Sequence, residues 1–163
     1  MCVVASQTFV RANGGRVSVP EQVAATFARF IQAKELDREG GGILLGRLIS
    51  ESQDVVVDIA GEPANCDIRS RFRFVRGMKT AQGLVDEAWA SSGGTRIYLG
   101  EWHTHPEDNP SPSSIDIDNW HRITSKTHFE QAFLIFAIVG RRSTMLWELS
   151  RYGQLSPMRP SIA

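Results

Sequence analysis

The sequence is poor in cysteine, in charge of one sign and in long apolar runs. Only Cys2 and Cys66 are present among 163 residues, so a disulfide scaffold is excluded and we expect two reduced thiols. Basic and acidic residues balance at 18 each, which gives no general attraction to nucleic acid or anionic membranes. The longest apolar stretch, at 132–139, is too short to cross a bilayer. With no secretory signal pattern, a cytoplasmic protein is expected.

The remaining composition is that of one globular domain. Hydrophobic residues make up 42% and charged residues 22% of the chain, and this length can bury a core without disulfides. Apolar periodicity and turn residues predict strands separated by three helices. The predicted strands are 1–10, 39–50, 54–63, 69–76, 95–102, 131–140 and 144–150, and the helices start near Pro20 and cover 78–91 and 114–125. The fold class expected is α/β: one domain over 1–156 with a mixed, mainly antiparallel sheet flanked by helices, followed by a loose tail at 157–163.

The segment GEWHTHPEDNPSPSSID, from Gly100 to Asp116, has the densest polar chemistry in the chain. His103 and His105 are one residue apart, so in an extended strand both imidazoles point to the same side. Ten residues separate His105 from Asp116, which is enough chain to turn back and bring the carboxylate to the same point. Two histidines and one aspartate are the three protein ligands that a catalytic zinc site uses. A structural site would need a fourth ligand, and Cys66 is remote in sequence.

A zinc hydrolase also needs a general base, and two carboxylates are candidates. Glu101 lies two residues before His103 and can share its face of the strand. Glu39 precedes three glycines, which would allow its backbone to approach another element closely. Spacing alone leaves both candidates open.

Three stretches together resemble the JAMM/MPN+ zinc isopeptidase family. They are EGGGILLG from Glu39 to Gly46, HTHP from His103 to Pro106, and PSSID from Pro112 to Asp116. The resemblance implies a single-domain JAB/MPN fold, which is cytidine-deaminase-like. The deaminase signature itself, His-x-Glu with Pro-Cys-x-x-Cys, is absent from the sequence.

The resemblance also implies a role for each motif residue. His103, His105 and Asp116 would hold Zn²⁺, and Ser113 would stabilise the oxyanion of the tetrahedral intermediate. Glu39 would take a proton from the attacking water and hand it to the leaving amine. On this likeness Glu39 is the base, and Glu101 either is structural or supports a metal ligand.

The substrate implied by the family is a bond that follows the C-terminus of a ubiquitin-like or conjugated protein. The small form with LGEWHTHP resembles the bacterial branch, and most of all the deubiquitinase-like peptidase of type II CBASS anti-phage operons, which acts on a cyclic-nucleotide synthase (CD-NTase). Alternatives are a peptidase that processes a bacterial ubiquitin-like or sulfur-carrier protein, a non-catalytic module that only binds a tail, and a zinc hydrolase acting on a small molecule.

Several other residues have simpler explanations. We expect an inert Cys66, surface positions for two histidines, core packing for three large side chains and a solvated face for four arginines. The histidines are His121 and His128, the core residues Trp120, Met145 and Trp147, and the arginines Arg69, Arg71, Arg73 and Arg76.

Overall fold

The computed structural model describes residues 4–65 and 67–162. Cys2 and Cys66 lie outside the described residues, so the expectations about them stay predictions. The three helices are α1 (Glu21–Arg29), α2 (Met78–Ser91) and α3 (Ser114–Lys126). The strands are β1 (Gln7–Val10), β2 (Arg16–Val19), β3 (Gly41–Leu48), β4 (Val55–Ala60), β5 (Ile68–Ser70), β6 (Arg73–Val75), β7 (Ile97–Thr104), β8 (Phe133–Val139), β9 (Thr144–Ser150), β10 (Leu155–Pro157) and β11 (Arg159–Pro160).

Nine of these strands form one sheet in the order β10-β9-β8-β7-β3-β4-β2-β1-β11. Neighbours are antiparallel except for the β2–β4 and β7–β8 pairs, which are parallel. The fold is therefore α/β with a mixed, mainly antiparallel sheet, as predicted. Among the described residues no helix is long and apolar enough to span a membrane.

Helices cover both faces of this sheet. Alternate residues of β8 enter two separate cores, because successive side chains of a strand point to opposite faces. Ile135 and Ala137 pack with the buried side of α1, whereas Phe136 and Ile138 pack with Trp120 of α3. On β3, Ile43 and Leu45 pack against α2. Central strands buried on both faces explain the long apolar run that the sequence shows at 132–139.

The prediction of one continuous strand over 69–76 is wrong. The chain turns back at Arg71 and Phe72, and β5 and β6 form a separate antiparallel hairpin. The expected solvated arginine face is also wrong for three of its members. Arg69 Nε donates to the carbonyl of Glu39 at 2.9 Å, and Arg71 Nη1 donates to the carbonyls of Lys34 and Glu35.

The third member, Arg76, forms an ion pair with Glu101 at 2.7 Å. These contacts join residues that are 25 to 37 positions apart in sequence, so local alternation could not reveal them. The hairpin is thereby attached to the strand pair that carries Glu39 and His103.

The prediction of a loose tail is wrong for residues 157–160. β10 pairs with β9 at one end of the sheet, and β11 pairs with β1 at the other end. Between them Met158 is 1% exposed, and its N–H donates to the carbonyl of Leu146 at 2.8 Å. A single segment, 155–160, therefore supplies both edge strands of the nine-stranded sheet.

Candidate metal centre

The two motif histidines lie at the end of β7, in the middle of the sheet. β7 pairs with β3 on one side and with β8 on the other. The N–H of His105 extends the second pairing by donating to the carbonyl of Val139 at 3.0 Å. The strand holds both rings on the same side, with 3.0 Å between Nε2 of His103 and Nε2 of His105.

Asp116 reaches the same point from the first turn of α3. Ser113 is the N-cap of this helix, and its hydroxyl oxygen accepts the N–H of Asp116 at 3.1 Å. In return the Asp116 carboxylate accepts the N–H of Ser113 at 2.7 Å, which completes a capping box. This arrangement aims the Asp116 oxygens at the histidines, 3.2 Å from His103 Nε2 and 3.3 Å from His105 Nε2.

Glu39 lies two residues before β3, the strand that pairs with β7. Gly41 of β3 is registered with His103 of β7, so the residue preceding β3 lies beside the histidines. The Glu39 carboxylate is 3.9 Å from His103 Nε2. Close backbone approach is needed here, because a Cβ at Gly41 would stand 2.6 Å from the carbonyl oxygen of Trp102.

The donor set fits a zinc ion. Zinc–nitrogen bonds of about 2.0–2.1 Å at a tetrahedral angle place two ligand atoms about 3.4 Å apart. The separations of 3.0 to 3.3 Å among His103, His105 and Asp116 are close to this value. Glu39, His103 and His105 also offer ligand atoms that lie within 4.8 Å of one another. Two imidazoles with carboxylates are a donor set that suits zinc.

Burial and the neighbouring charges perturb the acids and bases at this point. Burial raises the pKa of Glu39 from 4.5 to about 7, although the two histidines oppose this rise. Burial would also raise the pKa of Asp116, but the hydrogen bonds from His103 and His105 outweigh it and hold that pKa far below its usual range. Burial would lower the pKa of His105, but the hydrogen bonds and charges of Asp116, Glu107 and Glu39 together outweigh it and raise the pKa. Perturbed groups that face one another in this way are typical of functional sites.

Glu101, the other candidate base, is engaged elsewhere. Its Oε1 accepts hydrogen bonds from Arg76 Nε at 2.7 Å and from the Tyr98 hydroxyl at 3.2 Å. These bonds hold the carboxylate in an ion pair. The geometry therefore favours Glu39 as the carboxylate available beside the histidines.

Glu107 is a neighbour of the site that sequence reasoning missed. Its Oε2 is 3.3 Å from His105 Nδ1 and also accepts the N–H of Ser111 at 3.2 Å. A carboxylate on the far nitrogen of a ligating histidine fixes the orientation and tautomer of the ring. Its position two residues after His105 is the signal that could have found it, since i and i+2 share a side of an extended chain.

The other predictions about individual residues have mixed outcomes. Trp120 and Trp147 are buried as predicted, and Met145 packs against the same core. Trp120 stacks on Phe136 with 4.9 Å between ring centroids. The Trp120 ring also presents its edge to His103 at 6.4 Å, so this core residue supports the metal strand. His121 and His128 are exposed, as predicted.

Comparisons with known proteins concern the family and the fold. Residues 20–150 match the family described as prokaryotic homologs of the JAB domain. A protein of Pseudomonas aeruginosa named "CD-NTase/cGAS isopeptidase" is 36% identical over 135 residues, which cover 83% of this chain and 84% of that protein. A protein of Vibrio cholerae with the same name is 36% identical over 83% of each chain.

The fold also has a solved counterpart. A solution structure of a protein from Desulfitobacterium hafniense has a TM-score of 0.53 and 21% identity, and covers 84% of this chain and 85% of that one. At that identity the likeness concerns the fold alone. Because the family match extends over most of the sequence and the relatives over most of their own length, this chain belongs to the prokaryotic JAB-domain family.

Proposed function

We propose that this protein is a zinc-dependent isopeptidase that releases a CD-NTase from a conjugate in bacterial anti-phage defence, in the cytoplasm. The observation that carries the proposal is the convergence of His103, His105, Asp116 and Glu39 on one point. The relatives that match it across the chain are named "CD-NTase/cGAS isopeptidase", which supports the choice of substrate. The substrate bond would join the C-terminal carbonyl of the CD-NTase to an amine.

The metal would be held by His103, His105 and Asp116, a choice supported by donor-atom separations of 3.0 to 3.3 Å, close to the spacing of zinc ligands. When bound, Zn²⁺ would polarise the scissile carbonyl and lower the pKa of a water molecule toward about 7. His105 would be oriented for this task by Glu107 through its Nδ1 atom.

Glu39 would move the proton. As the water oxygen bonds to the carbonyl carbon, a Glu39 carboxylate oxygen accepts the proton from that water. The same carboxylic acid then donates the proton to the departing nitrogen as the carbon–nitrogen bond breaks. Glu39 is 7% exposed and its carboxylate is 3.9 Å from His103 Nε2, so it is placed to accept the proton from the water and to return it to the leaving group. The reaction needs no covalent intermediate.

Ser113 would donate a hydrogen bond to the oxyanion formed on the carbonyl oxygen. Its hydroxyl lies at the N-terminus of α3, beside Asp116, and donates to Asp116 Oδ2 at 2.8 Å. The side chain is exposed, so rotation about χ1 would let the hydroxyl turn to substrate. A donor of this kind typically contributes about 100-fold to 1,000-fold in rate.

The substrate tail would bind in extended form beside the site. Peptides of this kind bind by main-chain hydrogen bonds to a nearby strand, with side-chain pockets that give specificity. Two exposed apolar residues belong to the segments that carry or contact the site residues. Ile115 precedes Asp116 and is 78% exposed, while Phe72, 77% exposed, caps the hairpin that contacts Glu39. We propose that both touch the substrate.

The test is a panel of fusions in which each candidate tail precedes a reporter protein. The panel contains a CD-NTase, a bacterial ubiquitin-like protein, a sulfur carrier and ubiquitin, and intact mass locates the cut. Zinc-loaded protein should cut after the CD-NTase tail. A chelated sample and Glu39→Gln should not cut, whereas Glu101→Gln should keep most activity.

Each other outcome identifies a different function. Cutting only after the ubiquitin-like protein or the sulfur carrier would make this a processing peptidase. Zinc binding and tail binding without any cut would make it a binding module. Activity that survives in Glu39→Gln would move the role of base to another residue.

A further inference from the structure

A buried amide stands behind the metal centre, on the far side of the strand that carries the histidines. Gln32 follows α1 and is 1% exposed. Its Oε1 accepts the hydroxyl of Thr104 at 3.0 Å, and its Nε2 donates to the carbonyl of Arg71 at 2.7 Å and to that of Asp37 at 3.2 Å. Both polar atoms of the amide are therefore bonded, to three separate segments of the chain.

Thr104 connects this amide to the site. It lies between His103 and His105, is 0% exposed and points away from them, since successive side chains alternate along a strand. Its hydroxyl also accepts the N–H of Gly40 at 2.9 Å, and its own N–H donates to the Gly40 carbonyl at 2.9 Å. Thr104 therefore bonds twice to the residue that follows Glu39.

The hairpin of β5 and β6 completes the arrangement. The N–H of Glu39 donates to the carbonyl of Ser70 at 2.6 Å, and Arg69 donates to the carbonyl of Glu39. The next residue, Arg71, supplies a carbonyl to Gln32. The Gln32 amide thus bonds to Asp37, two residues before Glu39, and to the hairpin that hydrogen-bonds to Glu39. Through Thr104 it is also linked to Gly40, the residue after Glu39.

We propose that Gln32, acting through Thr104, is a positioning residue that sets the place of the Glu39 carboxylate relative to His103 and His105. The inference rests on the proposed function, because Glu39 is there the proton shuttle. Apolar side chains alone would fill this part of the core, whereas a buried amide with every bond made specifies one arrangement of the segments around it. A misplacement of about 1 Å in a catalytic group can cost about 100-fold in rate.

The first test compares two buried glutamines. Gln32→Met keeps the size of the side chain and removes the three hydrogen bonds. Gln131→Met is the matched control, because Gln131 is 9% exposed and its Nε2 donates to the carbonyl of Tyr98 on the same strand β7. Both variants should lower Tm. Only Gln32→Met should lower kcat, by about 10-fold to 100-fold, with KM and zinc affinity unchanged.

Thr104 provides a second, conservative pair. Thr104→Val removes the hydroxyl at constant shape and should lower kcat as Gln32→Met does. Thr104→Ser keeps the hydroxyl and should therefore keep most of the wild-type kcat. If the Thr104 methyl group acted by packing, the serine variant would lose activity and the valine variant would not. Equal kcat per folded protein in Gln32→Met and Gln131→Met, or equal loss in the valine and serine variants, would overturn the proposal.

Amide hydrogen exchange gives a readout that does not depend on activity. The Gly40 N–H donates to Thr104 Oγ1, so its exchange should be at least about 10-fold faster in Gln32→Met and unchanged in Gln131→Met. If the wild-type protein cuts none of the fusions, the proposed function fails while this measurement still decides the positioning role. Unchanged Gly40 exchange in Gln32→Met would refute the inference even if the enzyme is active.

Discussion

Replacing Glu39 by glutamine should stabilise the metal-free protein, and the gain should grow with pH. Burial raises the pKa of Glu39 from 4.5 to about 7. The unfolded chain therefore releases this proton near pH 4.5, whereas the folded chain keeps it until about pH 7. Between these values the folded state binds more protons, so the wild-type protein loses stability as pH rises. Glutamine is neutral throughout and does not incur this loss.

The size of the effect follows from the two pKa values. Each tenfold change in proton affinity corresponds to about 1.36 kcal/mol, and the difference between 4.5 and about 7 corresponds to roughly 3 kcal/mol. The stability difference between variant and wild type should thus be near zero around pH 4, intermediate around pH 6 and about 3 kcal/mol around pH 8. A buried carboxylate is destabilising in the metal-free protein because its charged form has lost its water.

The assay is urea unfolding in the presence of a chelator, followed by tryptophan fluorescence at each of these pH values. Glu101→Gln is the matched control. Glu101 is also a partly buried carboxylate of the sheet, but it forms an ion pair with Arg76 at 2.7 Å, so its replacement should destabilise the protein near neutral pH. A stability difference for Glu39→Gln that does not change with pH, or a variant less stable than wild type around pH 8, would refute the reasoning.

Three further predictions follow from other contacts. Met158→Ala should lower the free energy of unfolding by about 2–5 kcal/mol in urea titrations, since Met158 is 1% exposed between β10 and β11. Gly42→Ala should cost about 1–3 kcal/mol in the same assay, because the new Cβ would stand 2.1 Å from the Gly61 carbonyl oxygen. Glu107→Ala should weaken zinc binding by about 10-fold to 100-fold in a competition titration, while Glu107→Gln, which can still accept from His105, should weaken it less.

The local parts of the site could be predicted from the sequence. His103 and His105 share a side of β7 because side chains alternate along a strand. Asp116 lies in the first turn of α3 because Ser113 precedes it as the N-cap residue. Both inferences need only a few neighbouring residues.

The choice of Glu39 over Glu101 could not be made from spacing. Glu39 reaches the histidines because β3 pairs with β7 in a register that places Gly41 opposite His103. Register between strands more than fifty residues apart in sequence is a property of the tertiary structure, so only the resemblance to a family favoured this residue in advance.

Two errors in the predicted fold have different origins. The alternation of arginine and phenylalanine at 69–76 predicted a strand, and the turn within it is stabilised by bonds from Arg71 to the distant carbonyls of Lys34 and Glu35. The strands of segment 155–160 are three and two residues long. Elements of that length carry no recognisable periodicity.

Segment 155–160 also determines when the sheet can be completed during synthesis. Because β1 pairs with β11, one edge of β1 can form its hydrogen bonds only after residues about 150 positions later have been synthesised. One flank of the growing sheet therefore stays open until residue 160 has left the ribosome, and pairings over such separations form slowly. We expect the nascent chain to need protection from unwanted strand pairing until that last step.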